Sequence, residues 1–438
     1  MSQRACACGL AVALTSAYAF AAPPDGESGV GTPTGSAEAA AERAGLDETT
    51  RPSEGESGEL PSQRTPWNEI DLKILTVRIG GGMLLDWATY DQSSAAHDVL
   101  PISADEKLRD FRVLLKGKFL FFPRASYSIG YMYDGPSDSW RFRQTGIKLD
   151  VPELSGYLFV GRQKEGFSTN KMMVGYYGWT MERSAASDAF LPILADGIKW
   201  TGHAWRNRFV YNLGVYKDTF SEEESFNKND RQGAVRVVYL PHGGTNSENV
   251  IHLAIEGRFA DANDGKLQFR SRPEAFPAQA YVVDTGKFDA DSSVTLGVEA
   301  YYRPGSLMFG SEYYFNKVQS NSASDPLFHG GEVFGSYLFT GEVHPYNEPS
   351  AFFGAVSPKK PVSSGGIGAW EAVVRFSYVD LDSGTITGGK FWRVTPMVNW
   401  YLSQNLRFEL AFGYGRFEHE SPWEGTTFVQ SRFQITFE

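Results

Sequence analysis

Basic side chains recur in this sequence at a spacing that places them on one face of an extended strand. Successive side chains of a strand point to opposite faces, so residues two apart share a face. Guanidinium and ammonium groups donate charge-assisted hydrogen bonds to anions, and one guanidinium can hold two oxygens of a phosphate. The spacing therefore predicts rows of weak anion sites. The candidate residues are Arg112, Lys116 and Lys118, then Arg141 with Arg143, Arg162 with Lys164, and Arg270 with Arg272.

Sequence motifs of enzymes and metal sites are poorly represented. There is no His-Glu-x-x-His and no Gly-x-Ser-x-Gly. The stretch 384–390 has the spacing of a phosphate-binding loop, but Phe391 stands where a Ser or Thr would bind Mg²⁺, so we interpret it as a hairpin turn. His203, His252 and His344 are isolated along the chain and are interpreted as ordinary polar residues. The sequence thus predicts no catalytic residue, no metal site and no cofactor.

The overall composition excludes several other classes. A formal net charge of -11 argues against a general nucleic-acid binder, which needs clustered Lys and Arg. Beyond the first twenty or so residues, no apolar stretch reaches the roughly 18 residues that a membrane-spanning helix needs. The two cysteines, Cys6 and Cys8, both lie at the N-terminus, so a disulfide framework is not expected in the rest of the chain.

The N-terminal part divides into two segments. Residues 1–21 combine Arg4, a short apolar run and a small-x-small triplet ending at Ala21, which predicts a cleaved secretory signal; the alternative is a disordered Ala-rich tail. Residues 22–66 are rich in Pro, Gly, Ser and Glu, with nine acidic and three basic residues, and are predicted to be a disordered acidic leader. The predicted folded domain is 67–438.

Within that domain, apolar and polar residues alternate with period two. Leu253, Ile255 and Phe259 oppose His252 and Glu256, and similar segments recur to the C-terminus. Turn residues such as Pro304-Gly305 separate the segments. The alternation also places several carboxylates on the same face as the basic rows: Glu256, Glu299, Glu312, Glu371 and Glu409.

These segments fit a membrane β-barrel better than a soluble sandwich. Aromatic residues gather near strand ends, as at Tyr301-Tyr302 and Trp400-Tyr401, which is typical of the aromatic girdles at the two membrane interfaces. At about 10 residues per membrane strand plus loops, the domain accommodates sixteen antiparallel strands, or eighteen, but not eight. The prediction is therefore an all-β transmembrane antiparallel barrel, most simply of 16 strands, surrounded by membrane lipid. A barrel this wide encloses a lumen.

The residues 428–437 form the expected closing strand, in which Phe433, Ile435 and Phe437 oppose Arg432 and Gln434. This end resembles the terminal strand that outer-membrane proteins present to their assembly machinery. In this sequence Glu438 follows the terminal aromatic residue.

Between about Ile79 and Phe437, several short sequence motifs resemble those of the phosphate-selective porin O and P family and occur in the same order. They include Gly161-Arg162-Gln163-Lys164-Glu165-Gly166-Phe167-Ser168, Thr180-Met181-Glu182-Arg183-Ser184, Phe269-Arg270-Ser271-Arg272-Pro273-Glu274, Thr340-Gly341-Glu342-Val343-His344-Pro345-Tyr346 and Val398-Asn399-Trp400-Tyr401-Leu402. The resemblance implies a sixteen-stranded porin, usually a homotrimer in the bacterial outer membrane, that passes small anions with a preference for phosphate. Gly166 occupies a position where the family commonly has Pro.

The sequence therefore predicts passive diffusion of small anions, phosphate or polyphosphate, past the basic candidates. Three alternatives remain open at this stage. They are a general or cation-preferring diffusion porin, an outer-membrane barrel enzyme such as a lipid hydrolase, and a secreted soluble β protein that binds carbohydrate.

Overall fold

The computed structural model describes residues 68–134, 138–217, 229–245, 247–278, 280–418 and 424–437. The signal peptide and acidic leader predicted over 1–66 lie outside the described residues and remain predictions. The regions within the folded domain are dominated by long strands with short helices between some of them.

Sixteen long strands form the wall of the molecule. In chain order they are β1 (Thr76–Gln92), β2 (Asp105–Lys118), β3 (Ala125–Asp134), β4 (Ser139–Val151), β5 (Gly156–Gln163), β6 (Ala195–Ala204), β7 (Phe209–Lys217), β8 (Asn229–His242), β9 (Asn249–Ala262), β10 (Ser292–Pro304), β11 (Leu307–Gln319), β12 (Leu327–Leu338), β13 (Ala369–Ser383), β14 (Ile386–Tyr401), β15 (Leu406–Glu418) and β16 (Glu424–Phe437). Each is antiparallel to the next, which confirms the predicted meander.

The barrel closes between its first and last strands. Gly81 of β1 pairs with Phe437 of β16, and the pairing continues to Gln92 and Thr426. A short strand, Glu69–Asp71, pairs with the start of β1. Because every long strand has two neighbours, the wall has no open edge, and the predicted count of sixteen is confirmed.

The alternation in sequence becomes the two faces of the wall. On β1, Leu85 and Trp87 point outward and are 43% and 44% exposed, whereas Asp86 between them is 6% exposed. On β16, Phe433 is 37% exposed and its neighbour Arg432 only 3%. An outer wall of exposed apolar side chains around a charged interior is the reverse of a soluble protein and suits contact with hydrocarbon.

The strand connections lie at two rims. The rim that carries the start of β1 and the end of β16 is called the termini rim, and the other is called the far rim. Most connections are short. Residues 384–385 join β13 to β14 as a hairpin in which Ser383 pairs with Ile386, as the sequence predicts. Three connections are long, namely 164–194 and 263–291 at the far rim and 339–368 at the termini rim.

The α-helices of the described residues belong to the far-rim connections, whereas short 3-10 helices at Pro152–Leu154 and Val362–Ser364 lie at the termini rim. The α-helices are α1 (Ser94–Val99), α2 (Thr169–Met172) and α3 (Ala185–Phe190), with the last two in the connection 164–194. Among the described residues, no helix combines the length and the apolar character needed to cross a bilayer. Buried apolar residues from all three long connections pack against inward-facing residues of the strands, so the connections fold into the barrel. The sequence does not predict this.

Candidate functional site

The connection 164–194, called the lumen segment, turns inward where β5 ends. At this point the Gly166 amide donates a hydrogen bond to the Tyr216 hydroxyl over 3.1 Å. A Cβ atom on Gly166 would lie 2.5 Å from the Cβ of Asn212. A position with a bonded amide and no space for a side chain requires glycine, which explains the residue found here in place of proline.

A row of glutamates on β9 to β12 receives the first turn of the lumen segment. The backbone amides of Ser168, Thr169 and Asn170 head α2, and three carboxylates accept from them. The pairs are Ser168 to Glu256 at 2.5 Å, Thr169 to Glu299 at 3.0 Å and Asn170 to Glu312 at 2.8 Å, with the Asn170 side chain donating to Glu332 at 2.5 Å. This row is called the glutamate row. It satisfies amides that a helix start leaves without partners.

Arginines on the same wall form ion pairs with members of the glutamate row. Arg236 of β8 donates to both oxygens of Glu299, over 2.8 and 3.0 Å, and neither side chain is exposed. Arg375 of β13 pairs with Glu332 and with Glu274 of the connection 263–291. Inward-facing glutamates are thus confirmed as part of the interior, where they bind protein groups.

The lumen segment then continues along the wall formed by β12, β14 and β15. The Trp179 ring stacks on Phe334 of β12 at 4.5 Å, and its carbonyl accepts from Asn399 of β14 over 2.9 Å. Further along the wall, Arg407 of β15 donates to the Gly178 carbonyl over 2.7 Å. The segment is therefore held by these strands after it leaves the glutamate row.

Glu182, in the stretch Thr180–Ser184, links the lumen segment to β2 and β16. Arg109 donates to its carboxylate over 3.2 and 3.4 Å, and Arg432 donates to it as well. Burial raises the pKa of Glu182, but the charges of Arg109 and Arg432 outweigh burial and lower it to about 2. The carboxylate is therefore ionised at neutral pH.

The other two long connections fill further parts of the interior. Arg393 of β14 donates to two carbonyls of the connection 263–291, those of Pro273 and Glu274, over 2.7 and 3.0 Å. In 339–368, His344 pairs with Glu371 of β13 at 2.6 Å, and the Phe353 ring packs edge-on against Trp179.

The three histidines singled out in the sequence all contact protein groups. His252 bonds the Tyr346 hydroxyl at 2.8 Å, His344 bonds Glu371, and His203 bonds the Pro349 carbonyl at 2.8 Å. Within the described ranges, no group of three or more His, Cys, Asp or Glu side chains is arranged to hold a metal ion.

Strands β1 to β4 form a different wall, called the basic wall. Its candidates Arg112, Lys116, Lys118, Arg141 and Arg143 are only partly buried. Arg112 pairs with Asp110, and Arg141 donates to the Ser139 hydroxyl over 2.9 Å. The guanidinium of Arg112 lies 4.2 Å from the centre of the Tyr176 ring, so the lumen segment reaches this wall too.

The pair Arg162 and Lys164 lies at the entry of the lumen segment. Arg162 is buried, donating to Asp196 over 2.9 Å and to the Phe142 carbonyl over 2.9 Å. The Lys164 ammonium donates to the carbonyls of Met172 and Met173. The third pair, Arg270 and Arg272, is partly buried in the connection 263–291.

Strand alternation does not identify two basic residues of the lumen segment, Lys171 and Arg183. Lys171 lies within α2 and pairs with Asp188 at 3.3 Å. Burial lowers its pKa to about 8, Asp188 opposes that shift, and Arg183 and Arg143 add to it. Strand alternation cannot find a residue in a helix, although Arg183 does belong to one of the recognised motifs. Its guanidinium donates to the Asn170 carbonyl over 2.9 Å.

The family model for phosphate-selective porin O and P matches residues 77–437. The chain belongs to this family. It is therefore a member of a porin family of the bacterial outer membrane, and the interior described above is that of its barrel. A protein of Caulobacter vibrioides described as uncharacterized is 25% identical over 272 residues, covering 60% of this porin and 54% of that relative. The porin thus spans about half the length of the curated relative it matches.

Solved barrels resemble this porin in fold. OmpT of Vibrio cholerae, expressed in the outer membrane, is 12% identical with a TM-score of 0.52, covering 84% of this chain and 100% of OmpT. An anion-selective porin from Comamonas acidovorans is 15% identical with a TM-score of 0.50, covering 83% and 100%. OmpF of Salmonella typhi, in complex with daunomycin, is 9% identical with a TM-score of 0.51, covering 84% and 100%. At such identities the likeness establishes the barrel fold alone.

Proposed function

We propose that this porin passes small anions, phosphate or polyphosphate, along the basic wall and past Arg183, with the buried Lys171 acting on the path through its charge. The observation that carries the proposal is the uneven burial of opposite charges inside the barrel. Glu256, Glu299 and Glu312 are each at most 5% exposed and bind the lumen segment, whereas the basic wall residues keep part of their surface open. A passing ion would therefore meet the open part of the basic wall, whereas these three glutamates are covered by the lumen segment.

The chemistry of these groups suits oxyanions. An anion that enters a narrow channel loses hydration, and successive Arg and Lys donors can replace the lost bonds with charge-assisted ones. Several weak sites in a row let the ion move on, whereas one strong site would trap it. The family's name and the anion-selective porin from Comamonas acidovorans support the same assignment.

Planar lipid bilayers test the proposal directly. Under a KCl gradient, the reversal potential is expected to show anion preference, and added phosphate is expected to reduce the chloride current. Cation preference would overturn the assignment and favour a general or cation-preferring porin. Indifference to phosphate would overturn the phosphate preference alone.

Arg270 and Arg272 offer the matching variant test. Replacing both by Gln is expected to weaken anion binding, because each variant position loses a charged donor. The phosphate concentration needed to halve the chloride current should then rise about tenfold. The matched control replaces Arg124 and Arg231 by Gln. Their side chains are 53% and 80% exposed and pair with Glu153 and Asp261. An equal effect of both double variants would show that overall charge, not the path, sets the block.

We also propose that the porin is a homotrimer whose C-terminal strand serves as its assembly signal. A trimer form of Vibrio cholerae OmpT, 12% identical with a TM-score of 0.51, supports the first part. Light scattering of the purified porin in detergent should give three times the protomer mass. A protomer mass that persists under mild extraction would contradict the trimer.

A further inference from the structure

Two aromatic rings alternate with three guanidiniums in the far-rim part of the barrel. The Phe276 ring lies 3.6 Å from Arg109 and 5.5 Å from Arg272, measured from ring centre to guanidinium carbon. The Tyr281 ring lies 5.5 Å from Arg272 and 4.2 Å from Arg270. The order Arg109, Phe276, Arg272, Tyr281, Arg270 is called the stack. All four ring contacts lie within the distance at which cation–π attraction acts.

The protein holds both ends of the stack in place. Arg109 is fixed by its two hydrogen bonds to Glu182, and the backbone of Arg270 lies opposite that of Asp284 in a two-residue antiparallel ladder. The turn between Arg272 and Phe276 is fastened by Arg393, which binds the carbonyls of Pro273 and Glu274. The rings therefore lie on a supported part of the connection.

Three like charges so close together repel one another. The Arg109 and Arg272 carbons can be no farther apart than the two ring distances of 3.6 and 5.5 Å together allow. A ring between two guanidiniums offers its electron-rich face to both and offsets part of the repulsion. A guanidinium that lies flat against a ring directs its N–H donors in its own plane, past the ring edge.

Arg272 is the middle member of the stack. Its buried Nε has no hydrogen-bond partner among the described residues. That atom is covered by protein, so a passing ion would meet the open part of the Arg272 side chain, which is only partly buried. Phe276 and Tyr281 are themselves only partly buried, so the stack borders space inside the barrel.

We propose that Phe276 and Tyr281 are positioning residues that hold Arg109, Arg272 and Arg270 in a row, with the Arg272 donors presented to a passing phosphate. The inference rests on the proposed anion path and assigns part of its phosphate preference to two uncharged rings. The rings act through the arginines and do not themselves bind the ion.

The test replaces each ring while keeping every charge. Phe276→Leu and Tyr281→Leu are each expected to raise the half-blocking phosphate concentration about fivefold, because each variant loses one of the two ring contacts that position Arg272. The reversal potential under a KCl gradient should stay at its wild-type value, because the charges remain. The aromatic exchanges Phe276→Tyr and Tyr281→Phe should restore the wild-type block.

Two further variants separate positioning from folding. Phe288→Leu is the matched control, since that ring lies in the same connection and packs on Phe269 and Phe328, and it should leave the block unchanged. Arg272→Lys keeps the charge but loses the flat group, so it should raise the half-blocking concentration as the leucine variants do.

The outcomes are distinct. Wild-type block in both leucine variants, or an equal shift in Phe288→Leu, would overturn the positioning role and leave the anion porin intact. Cation preference, or no phosphate block in the wild-type protein, would overturn both. If the leucine variants fail to give heat-modifiable barrels, Arg272→Lys decides, and an unchanged block in that variant would overturn the inference.

Discussion

The two walls of the barrel use the same residue types for different purposes. On β9 to β13, Glu299 and Glu332 are buried, bind the lumen segment and pair with arginines. On β1 to β4, Arg112, Lys116 and Arg143 are partly exposed along the interior face. Strand alternation places both sets inward, but the lumen segment accepts the first set as hydrogen-bond partners and meets the second through the Tyr176 ring, which leaves part of that set's surface open. An inward-facing side chain therefore does not necessarily line a path through the barrel. Its role depends on which other part of the chain packs against it.

The largest expected effect follows from a change in the glutamate row. Glu299→Gln removes the charge that neutralises Arg236, whose side chain has no exposed surface. An unpaired buried charge costs about 3 to 5 kcal/mol, so the free energy of unfolding should fall by that amount. The matched change on the basic wall, Lys116→Gln, should cost less than about 1 kcal/mol.

Urea titration in detergent, followed by the loss of heat-modifiable migration, measures both variants. Similar losses for the two would contradict the division into a supporting wall and an open wall. The same titration at two salt concentrations is a useful control, because only the exposed Lys116 should respond strongly to screening.

Gly166 tests how closely the lumen segment packs against the wall where it enters the barrel. In Gly166→Ala the new Cβ would meet the Cβ of Asn212 at 2.5 Å, and such overpacking costs about 1 to 3 kcal/mol. The segment should shift, and single-channel recordings should show more current fluctuation than the wild type. Adding Asn212→Gly makes space for the methyl group and should reduce the fluctuation. If the double variant is noisier than Gly166→Ala, the steric explanation is wrong.

The fold could be predicted largely from alternation, and the site only partly. Arg432 and Phe433 show why: in a strand, neighbouring residues face opposite sides whatever their distant partners are. The family model supports the predicted channel, but the residues expected to line its path remain predictions. The burial of Arg162 follows from Asp196, which lies on another strand, and no local spacing reveals that pairing.

The inward fold of the long connections was beyond sequence reasoning for the same reason. Arg109 is a particular case, since a register shift near Leu84 and Leu85 separates it from the alternation of β2. It lies outside the spacing that selects Arg112, yet it holds Glu182 and one end of the stack. A bulge adds one residue and re-aims a side chain, which period-two counting cannot detect.

Lys171 should produce the smallest of these effects, a modest pH dependence of the anion preference. With a pKa of about 8, it is largely charged at pH 7 and mostly neutral at pH 9. The charged groups acting on it are Asp188, Arg183 and Arg143, of which the two arginines stay protonated throughout this range. The anion preference should therefore decline modestly as the pH rises from 7 to 9, and Lys171→Gln should remove that slope. Glu182, with a pKa of about 2, stays ionised and should add no slope between pH 5 and 7. A wild-type slope that survives in Lys171→Gln would place the titrating group elsewhere and leave the basic wall as the main determinant of preference.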